Sequence, residues 1–238
     1  MNKFSSIIRD IWNLQQYFPD KELNSIIKII NSGYSRYYSS NPNMEECDFV
    51  FIDRLHKYPC ALKLPFWENH FEWQDLLNDY PQIDGLIMDF GCGSGHSDIF
   101  LARMGKNIYA VDLSPIGINI ANYYLEKEID SVKNRLRFEL LDITDEKKNN
   151  VIVDAVWSSH VFEHIQNPEP IIKGLRQYVK AKGLMLISVP FGNAYDDLGH
   201  INHFYSENEL ENYLNPFITV VEIKKNLKNQ VLRAICQF

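Results

Sequence analysis

The chain has 238 residues, 45% hydrophobic, 23% charged and 13% aromatic, enough to bury a sizeable core but short for several full domains. Its 24 Lys and Arg against 31 Asp and Glu leave a formal charge of −7, which argues against a nucleic-acid footprint and gives no general reason to expect an anionic membrane as partner. The longest Ile-rich stretch, Ile26 to Ile30, is interrupted by Lys28 and falls far short of the ~18 to 20 apolar residues that cross a bilayer; with no apolar signal core at the N-terminus, the expected location is cytoplasmic.

Residues 1–85 and 86–238 have different textures, and Tyr80-Pro81 followed by Asp84-Gly85 marks the seam. In the first part, Ile7, Ile8, Ile11, Trp12 and Leu14, then Leu23, Ile26, Ile27 and Ile30, recur at spacings of three and four, which predicts two short amphipathic helices. Between Tyr34 and Trp73 lie many aromatics, among them Tyr37, Tyr38, Phe49, Phe51, Tyr58, Phe66, Trp67 and Phe71. They suit either helix packing onto the main domain or a lid over a substrate pocket. The four cysteines, Cys47, Cys60, Cys92 and Cys236, form no Cys-x-x-Cys pair, so reduced thiols are the simpler expectation.

From residue 86 onward strand and helix signals alternate. Leu86 to Phe90, Asn107 to Val111, Arg135 to Leu141, Ala155 to Ser158 and Leu184 to Val189 read as five strands. Ser114-Pro115 and Asn167-Pro168 place a capping residue before a proline at the first helical position, and Gly105 and Gly183 suit helix stops. Ser206 and Glu209 form a capping-box signature for a helix through Leu210, Tyr213 and Leu214. Phe217 to Ile223 and Gln230 to Cys236 then read as a hairpin. The prediction is an α/β fold: a Rossmann-like, seven-stranded, mostly parallel sheet with one antiparallel strand, helices on both faces, and a helical cover from residues 1–85.

The strongest local signal is Met88-Asp89-Phe90-Gly91-Cys92-Gly93-Ser94-Gly95, at the end of the first strand and before a helix. Its glycines allow a tight turn and close approach of a ligand, at the strand ends where open α/β sheets bind them. A dinucleotide fingerprint needs Gly or Ala three residues after Gly93, where His96 stands, and the Gly-Lys-Ser/Thr of a phosphate loop is absent. The acidic Asp89 before the loop suits a cationic ligand better than a pyrophosphate. Asp112 and Asp142 follow at the ends of the second and third strands.

With these in view, the chain resembles the class I S-adenosylmethionine-dependent methyltransferases of the small-molecule type, similar to ubiquinone-biosynthesis-like enzymes. The matching stretches are 89–95, 111–114, 141–143 and 154–165, and the resemblance covers most of 86–238. It implies that residues 86–238 form an S-adenosylmethionine-binding domain. Gly91, Cys92, Gly93 and Gly95 would hold the methionine portion, with Asp89 near its amino group. Asp112 and Leu113 would contact the ribose, Asp142 and Ile143 the adenine, and Ser159 would complete the cofactor set.

Methyl transfer is an in-line displacement, so alignment and exclusion of water carry most of it. An alcohol acceptor benefits from a base, and His160, His164, His200 and His203 are the candidates near the strand ends. His160 to His164 also matches the H-x-x-E-H protease pattern, but that pattern requires a helix presenting both histidines to zinc, and here the segment begins at a strand end. A second metal reading comes from resemblance to small-RNA 3′-end methyltransferases, which carry Glu-x-x-Glu-His here. His160, Glu163, His164 and His200 or His203 would imitate that set, with His160 replacing its first glutamate; without a metal, Glu163-His164 would stabilise the loop. Asp196 and Asp197 are expected to face solvent or an acceptor.

The resulting expectation is an S-adenosylmethionine-dependent methyltransferase yielding S-adenosylhomocysteine and acting on a small-molecule or sugar-containing acceptor. O-methylation is favoured because Ser158-Ser159-His160 stands where base-modifying enzymes carry Asn/Asp-Pro-Pro-aromatic. The competing classes are a catalytically silent cofactor-binding subunit and a nicotinamide-dependent oxidoreductase.

Overall fold

A computed structural model of the chain describes His70, Leu77, Ile83 and residues 85–145, 150–194 and 200–238. The two predicted N-terminal helices, the aromatics between Tyr34 and Trp73, Cys47, Cys60, Asp196 and Asp197 lie outside the described residues.

The first half alternates strand and helix as its apolar runs predict: β1 (Leu86–Phe90), α1 (His96–Arg103), β2 (Asn107–Asp112), α2 (Pro115–Leu125), a one-turn α3 (Asp130–Lys133) and β3 (Leu136–Leu140). The second half continues with β4 (Val153–Ser159), a 3-10 turn (Phe162–His164), α4 (Glu169–Leu175), β5 (Val179–Pro190), α5 (Glu207–Leu214), β6 (Thr219–Asn226) and β7 (Val231–Gln237). The strands form one sheet in the order β3-β2-β1-β4-β5-β7-β6. β1 to β5 are mutually parallel, and β7 runs antiparallel to both β5 and β6. The predicted seven-stranded sheet with one antiparallel strand is therefore the observed one.

The central strands are apolar on both faces, as a sheet covered by helices on both sides requires. Along β2 the side chains alternate between two cores. Ile108 and Ala110 pack with Ile99, Ile120 and Tyr124 from α1 and α2, whereas Tyr109 and Val111 join Phe162, Ile172, Leu175, Leu210 and Leu214 on the opposite face. The start of β1 is fixed by Asp154, whose Oδ2 accepts from the Leu86 N–H at 2.7 Å. Lys180 hydrogen bonds the same carboxylate and, as the largest cause, holds it below its usual range.

The helix caps obey the local signals with two exceptions. Ser114 accepts from the Gly117 N–H at 2.9 Å ahead of Pro115, and Ser206 accepts from Glu209 N–H at 3.2 Å. Glu209 reaches back to the Tyr205 N–H at 2.7 Å, one residue before the cap. At α4, Pro168 itself is the N-cap and Asn167 accepts from the Glu169 N–H at 3.1 Å, because the proline phi already fits the turn. Gly183 does not stop a helix. Helix α4 ends at Leu175 and Gly183 lies inside β5, beside an irregular register with β4, where Lys182 has a φ of 60°.

Gly95 ends the glycine loop with a φ of 69°, and a Cβ there would stand 2.3 Å from Phe138 Cζ and 2.8 Å from Ala121 Cβ. The expected cost of Gly95→Ala is about 1 to 3 kcal/mol, from backbone strain and overpacking. Urea denaturation checks this, and an unchanged midpoint contradicts it.

Candidate functional site

The glycine loop leaves β1 and is stitched to the end of β2. The Gly91 and Cys92 N–H groups both donate to the Val111 carbonyl, at 2.9 and 3.1 Å, and the Gly95 N–H closes the turn on the Cys92 carbonyl at 3.0 Å. Gly91 has a φ of 86°, and a Cβ on it would lie 2.2 Å from Val161 Cγ2. The loop therefore rests directly on the segment that follows β4. Gly95 is also the N-cap of α1 and has no side chain to cap its first turn.

Asp112 holds this loop in place. Its Oδ2 accepts from Gly93 N–H at 2.8 Å and its Oδ1 from Ser114 N–H at 2.7 Å. Both carboxylate oxygens are thus engaged by backbone N–H groups. Leu113 is half-buried beside it. The Leu141 N–H donates to the Asp112 carbonyl at 3.1 Å, bringing the end of β3 alongside. Asp142 Oδ1 accepts from both the backbone N–H and the hydroxyl of Thr144, at 2.9 and 2.6 Å, which sets the turn after β3. Ile143 follows it and is buried, with its side chain in the core.

Acidic groups concentrate below the loop. Asp89 and Asp98 are buried, and both influence Cys92 together with Asp112. Burial first, and these three carboxylates after it, push the Cys92 thiol well up, so it stays neutral. It and Cys236 are free thiols.

A second polar cluster lies where β4 ends. Glu163 is buried at 1% exposure, and its Oε1 stands 3.3 Å from His160 Nδ1, 4.0 Å from His164 Nε2 and 3.8 Å from His200 Nε2. The His164 and His200 rings meet edge to face with centroids 4.7 Å apart, and His203 stands further off, 6.4 Å from His200. Glu163 and His164 lie in a three-residue 3-10 turn, not on the helix that the H-x-x-E-H zinc pattern demands. His160 has a φ of 56°, a left-handed conformation uncommon for a side-chain-bearing residue. Its N–H donates to the Ser188 carbonyl at 2.9 Å. Ser159, beside it, is half-buried, and its hydroxyl oxygen is buried with no hydrogen-bond partner among the described residues.

Three participants were not visible in the sequence pattern. Asn202 Nδ2 donates to the carbonyls of Phe162 and Ile165 at 3.1 and 2.7 Å, and the Ile201 and Asn202 N–H groups both donate to the Glu163 carbonyl at 3.0 Å. The Tyr213 hydroxyl donates to the Ile165 carbonyl. Burial, then the Glu163 charge, pushes that phenol well up and keeps it a donor. The third is Asp98. For Asn202, the amide between two histidines in a loop was the available hint; Asp98 carried none, since an acid in a first helical turn is ordinary.

The model of the methyltransferase domain family matches residues 66–229. The ubiquinone biosynthesis O-methyltransferase of Rickettsia typhi is 34% identical over 112 residues, 47% of this chain and 42% of that protein. That of Acinetobacter baylyi is 26% identical over 141 residues, 54% of this chain and 58% of that protein. The chain thus spans about half the length of these curated relatives. Among solved structures, a SAM-dependent methyltransferase from Aquifex aeolicus superposes with a TM-score of 0.59 at 18% identity, covering 70% of this chain and 89% of the other. The glycopeptide N-methyltransferase MtfA gives 0.60 at 10% identity, covering 70% and 88%. These two likenesses concern the fold.

The left-handed backbone at His160 makes a local prediction. His160→Gly and His160→Ala both delete the imidazole, but only glycine tolerates the backbone freely, so the glycine variant is expected to be about 1 kcal/mol more stable. Equal unfolding free energies for the two variants would contradict strain at this position.

Proposed function

The chain belongs to the methyltransferase domain family, and from that premise we propose that it transfers the methyl group of S-adenosylmethionine to an oxygen of a small-molecule or sugar-containing acceptor. The observation that carries the acceptor atom is the Glu163 cluster of imidazoles beside the glycine loop. A neutral amine attacks without losing a proton first, whereas a hydroxyl gains from a base within reach.

When bound, S-adenosylmethionine would supply an electrophilic sulfonium methyl group for in-line attack by an acceptor oxygen, the new oxygen–carbon bond forming as the carbon–sulfur bond breaks and its electron pair stays on sulfur. Gly91, Cys92, Gly93 and Gly95 shape the loop for the methionine portion, and Asp89 below them carries charge of the right sign for its amino group. Asp112 and Leu113 are assigned to the ribose, Asp142 and Ile143 to the adenine, and Ser159 to the cofactor's reacting end. The fit rests on what these residues offer: an acceptor-only carboxylate held at the strand end by two backbone N–H groups and suited to ribose hydroxyls, a loop that admits close approach, and a hydroxyl at the end of β4.

His160 is the proposed base. Its Nδ1 faces Glu163 at 3.3 Å, so the carboxylate fixes the ring and stabilises the imidazolium that forms when the other nitrogen takes the acceptor proton. His164, His200 and His203 line the same edge and orient the acceptor. The residues assigned to the acceptor include no lysine or arginine, and with a net charge of −7 the chain favours a small metabolite over a nucleic acid. Among the described residues no helix is long and apolar enough to cross a membrane.

A second reading of the cluster has its own observation. Glu163, His164 and His200 each offer one ligand atom, all within 4.8 Å of one another, a carboxylate and imidazole set suited to a divalent ion such as zinc. Such an ion would polarise the acceptor hydroxyl in place of a base.

The sheet order also bears on the competing oxidoreductase class, since an antiparallel β7 between β5 and β6 departs from the 3-2-1-4-5-6 order of dinucleotide sheets. Calorimetry is expected to give binding of S-adenosylmethionine and S-adenosylhomocysteine and none of NAD; NAD binding alone would overturn the proposal. Asp112→Ala is expected to weaken cofactor binding by about 1 to 3 kcal/mol. Labelled-methyl transfer to a metabolite extract separates an enzyme from a silent binding subunit, which would label nothing. Retained transfer after chelation, in protein without stoichiometric metal, decides for the base over the ion.

A further inference from the structure

Among the described residues four serines are buried, and three of them are satisfied. Ser94 Oγ pairs with His96 Nδ1 at 2.8 Å, Ser114 caps α2, and Ser158 Oγ donates to the Phe90 carbonyl at 3.0 Å. Ser188 is the fourth. It is 4% exposed, and its hydroxyl oxygen is buried with no hydrogen-bond partner among the described residues, as is that of Ser159. Taking a hydroxyl out of water without a partner is unfavourable, so two such groups in one place call for an explanation.

The sheet register brings the two hydroxyls together. Ser159 ends β4 and pairs with Ser188 of β5, and side chains alternate between the two faces along each strand. Trp157 and Leu186, two residues earlier on their strands, belong to one core, whereas Ile187 and Val189 belong to the other. The Ser159 and Ser188 side chains therefore stand next to each other on the Trp157 face, toward the C-terminal ends of the parallel strands. Neighbouring strands lie about 4.8 Å apart, yet neither hydroxyl bonds the other. Each keeps a donor and acceptor sites for a third group.

Strand order says from which side that group comes. The strands run β3-β2-β1-β4-β5 from one edge, so Asp142, Asp112 and the glycine loop occupy the ends of the first three. Ser159 on β4 follows, and Ser188 lies one strand beyond it, on the side away from the loop. A group held there faces the cofactor's reacting end from the acceptor's side. The Ser188 carbonyl also takes the His160 N–H at 2.9 Å, so one residue both seats the proposed base and carries a free hydroxyl beside it.

We propose that Ser188 is an acceptor-binding residue whose hydroxyl donates to the very oxygen that is methylated, with Ser159 next to it on the cofactor's side. The proposal rests on the assignments of the glycine loop and of His160 made above. An alcohol oxygen has two lone pairs and one proton. With the proton directed at His160 and one lone pair held by Ser188, the other lone pair is left to attack, and rotation about the acceptor's carbon–oxygen bond is fixed before the reaction. The acceptor O–H proton passes to His160 as the oxygen–carbon bond forms and the carbon–sulfur bond breaks with its electron pair on sulfur; Ser188 keeps its own proton. An amine has a single lone pair, which a bond donated by Ser188 would occupy, so this hydroxyl selects for oxygen.

Ser188→Ala removes the hydroxyl and keeps the carbonyl that seats His160. Three measurements on the full chain decide: urea denaturation, calorimetry with S-adenosylhomocysteine, and the rate of labelled-methyl transfer from S-adenosylmethionine to a metabolite extract. The urea midpoint is expected to stay or rise, because a buried hydroxyl without a partner is lost. S-adenosylhomocysteine affinity is expected to hold within about twofold, while transfer slows by about tenfold or more. Stability and activity moving apart is what a packing role does not produce. Transfer at the unaltered rate would overturn the proposal and leave water as the group the hydroxyls hold. A lowered midpoint or an unfolded variant would overturn it in favour of a structural role, and affinity lost in step with transfer would make Ser188 a cofactor residue. If the unaltered chain binds S-adenosylhomocysteine but labels nothing, this proposal and the enzyme reading fall together.

Discussion

The Asp112 carboxylate is the interaction on which the ligand edge of the sheet depends. It grips the Gly93 N–H from the loop after β1 and the Ser114 N–H that opens α2. One side chain thereby fixes the mutual position of two strand ends and a helix start. Hydrogen bonds from backbone to a charged acceptor contribute about 1.5 to 3 kcal/mol each, and here they act on glycine-rich backbone that has the most freedom to lose. The residue assigned to the ribose is therefore ordered before any ligand arrives, and the ligand need not meet the cost of ordering it. The same carboxylate also fixes Ser114, the cap of α2, so a change at Asp112 reaches the helix as well as the loop.

What was legible in the sequence was local. The strand runs, the glycine loop, the Ser114 and Ser206 caps and the final hairpin are each written within a few consecutive residues, and the structure reproduces them. Gly183 was misread because a glycine after a helical run is compatible with a stop and equally with a kinked strand. Only the long-range pairing of β4 with β5 separates the two, and sequence spacing does not carry it. Of the candidate site, the three strand-end acids and the histidines were visible as residue types. That His160, His164 and His200 surround one buried carboxylate, with His203 set apart, depends on the 200–204 segment folding back over the 3-10 turn. Asn202 drives that fold-back by satisfying carbonyls that a short turn leaves open. Asp98 was illegible because its burial comes from packing, while its sequence position suits an ordinary helix start.

Burying Glu163 among imidazoles is costly for stability unless its partners are held in place. Several features hold them. Asn202 and Tyr213 clamp the turn from the opposite side, the Glu163 carbonyl takes two N–H donors, and His160 stays in a left-handed conformation fixed by its bond to Ser188. A strained, over-determined residue beside a buried acid is the pattern of a functional edge, where local stability is given up for a fixed geometry. It stands in contrast to the opposite ends of the strands, where Asp154 and Lys180 form an exposed pair whose role is to seat β1.

The two buried acidic clusters divide the work on chemical grounds. On one side of the loop, Asp89, Asp98 and Asp112 lie close enough that all three bear on the Cys92 thiol, a concentration of acids that suits a cationic ligand. On the other side, Glu163 stands among imidazoles able to share a proton with it. The contact of Gly91 with Val161 is the hinge between them: a loop one methyl group larger would push the two apart. That is the physical reason for glycine at position 91, beyond its backbone angle.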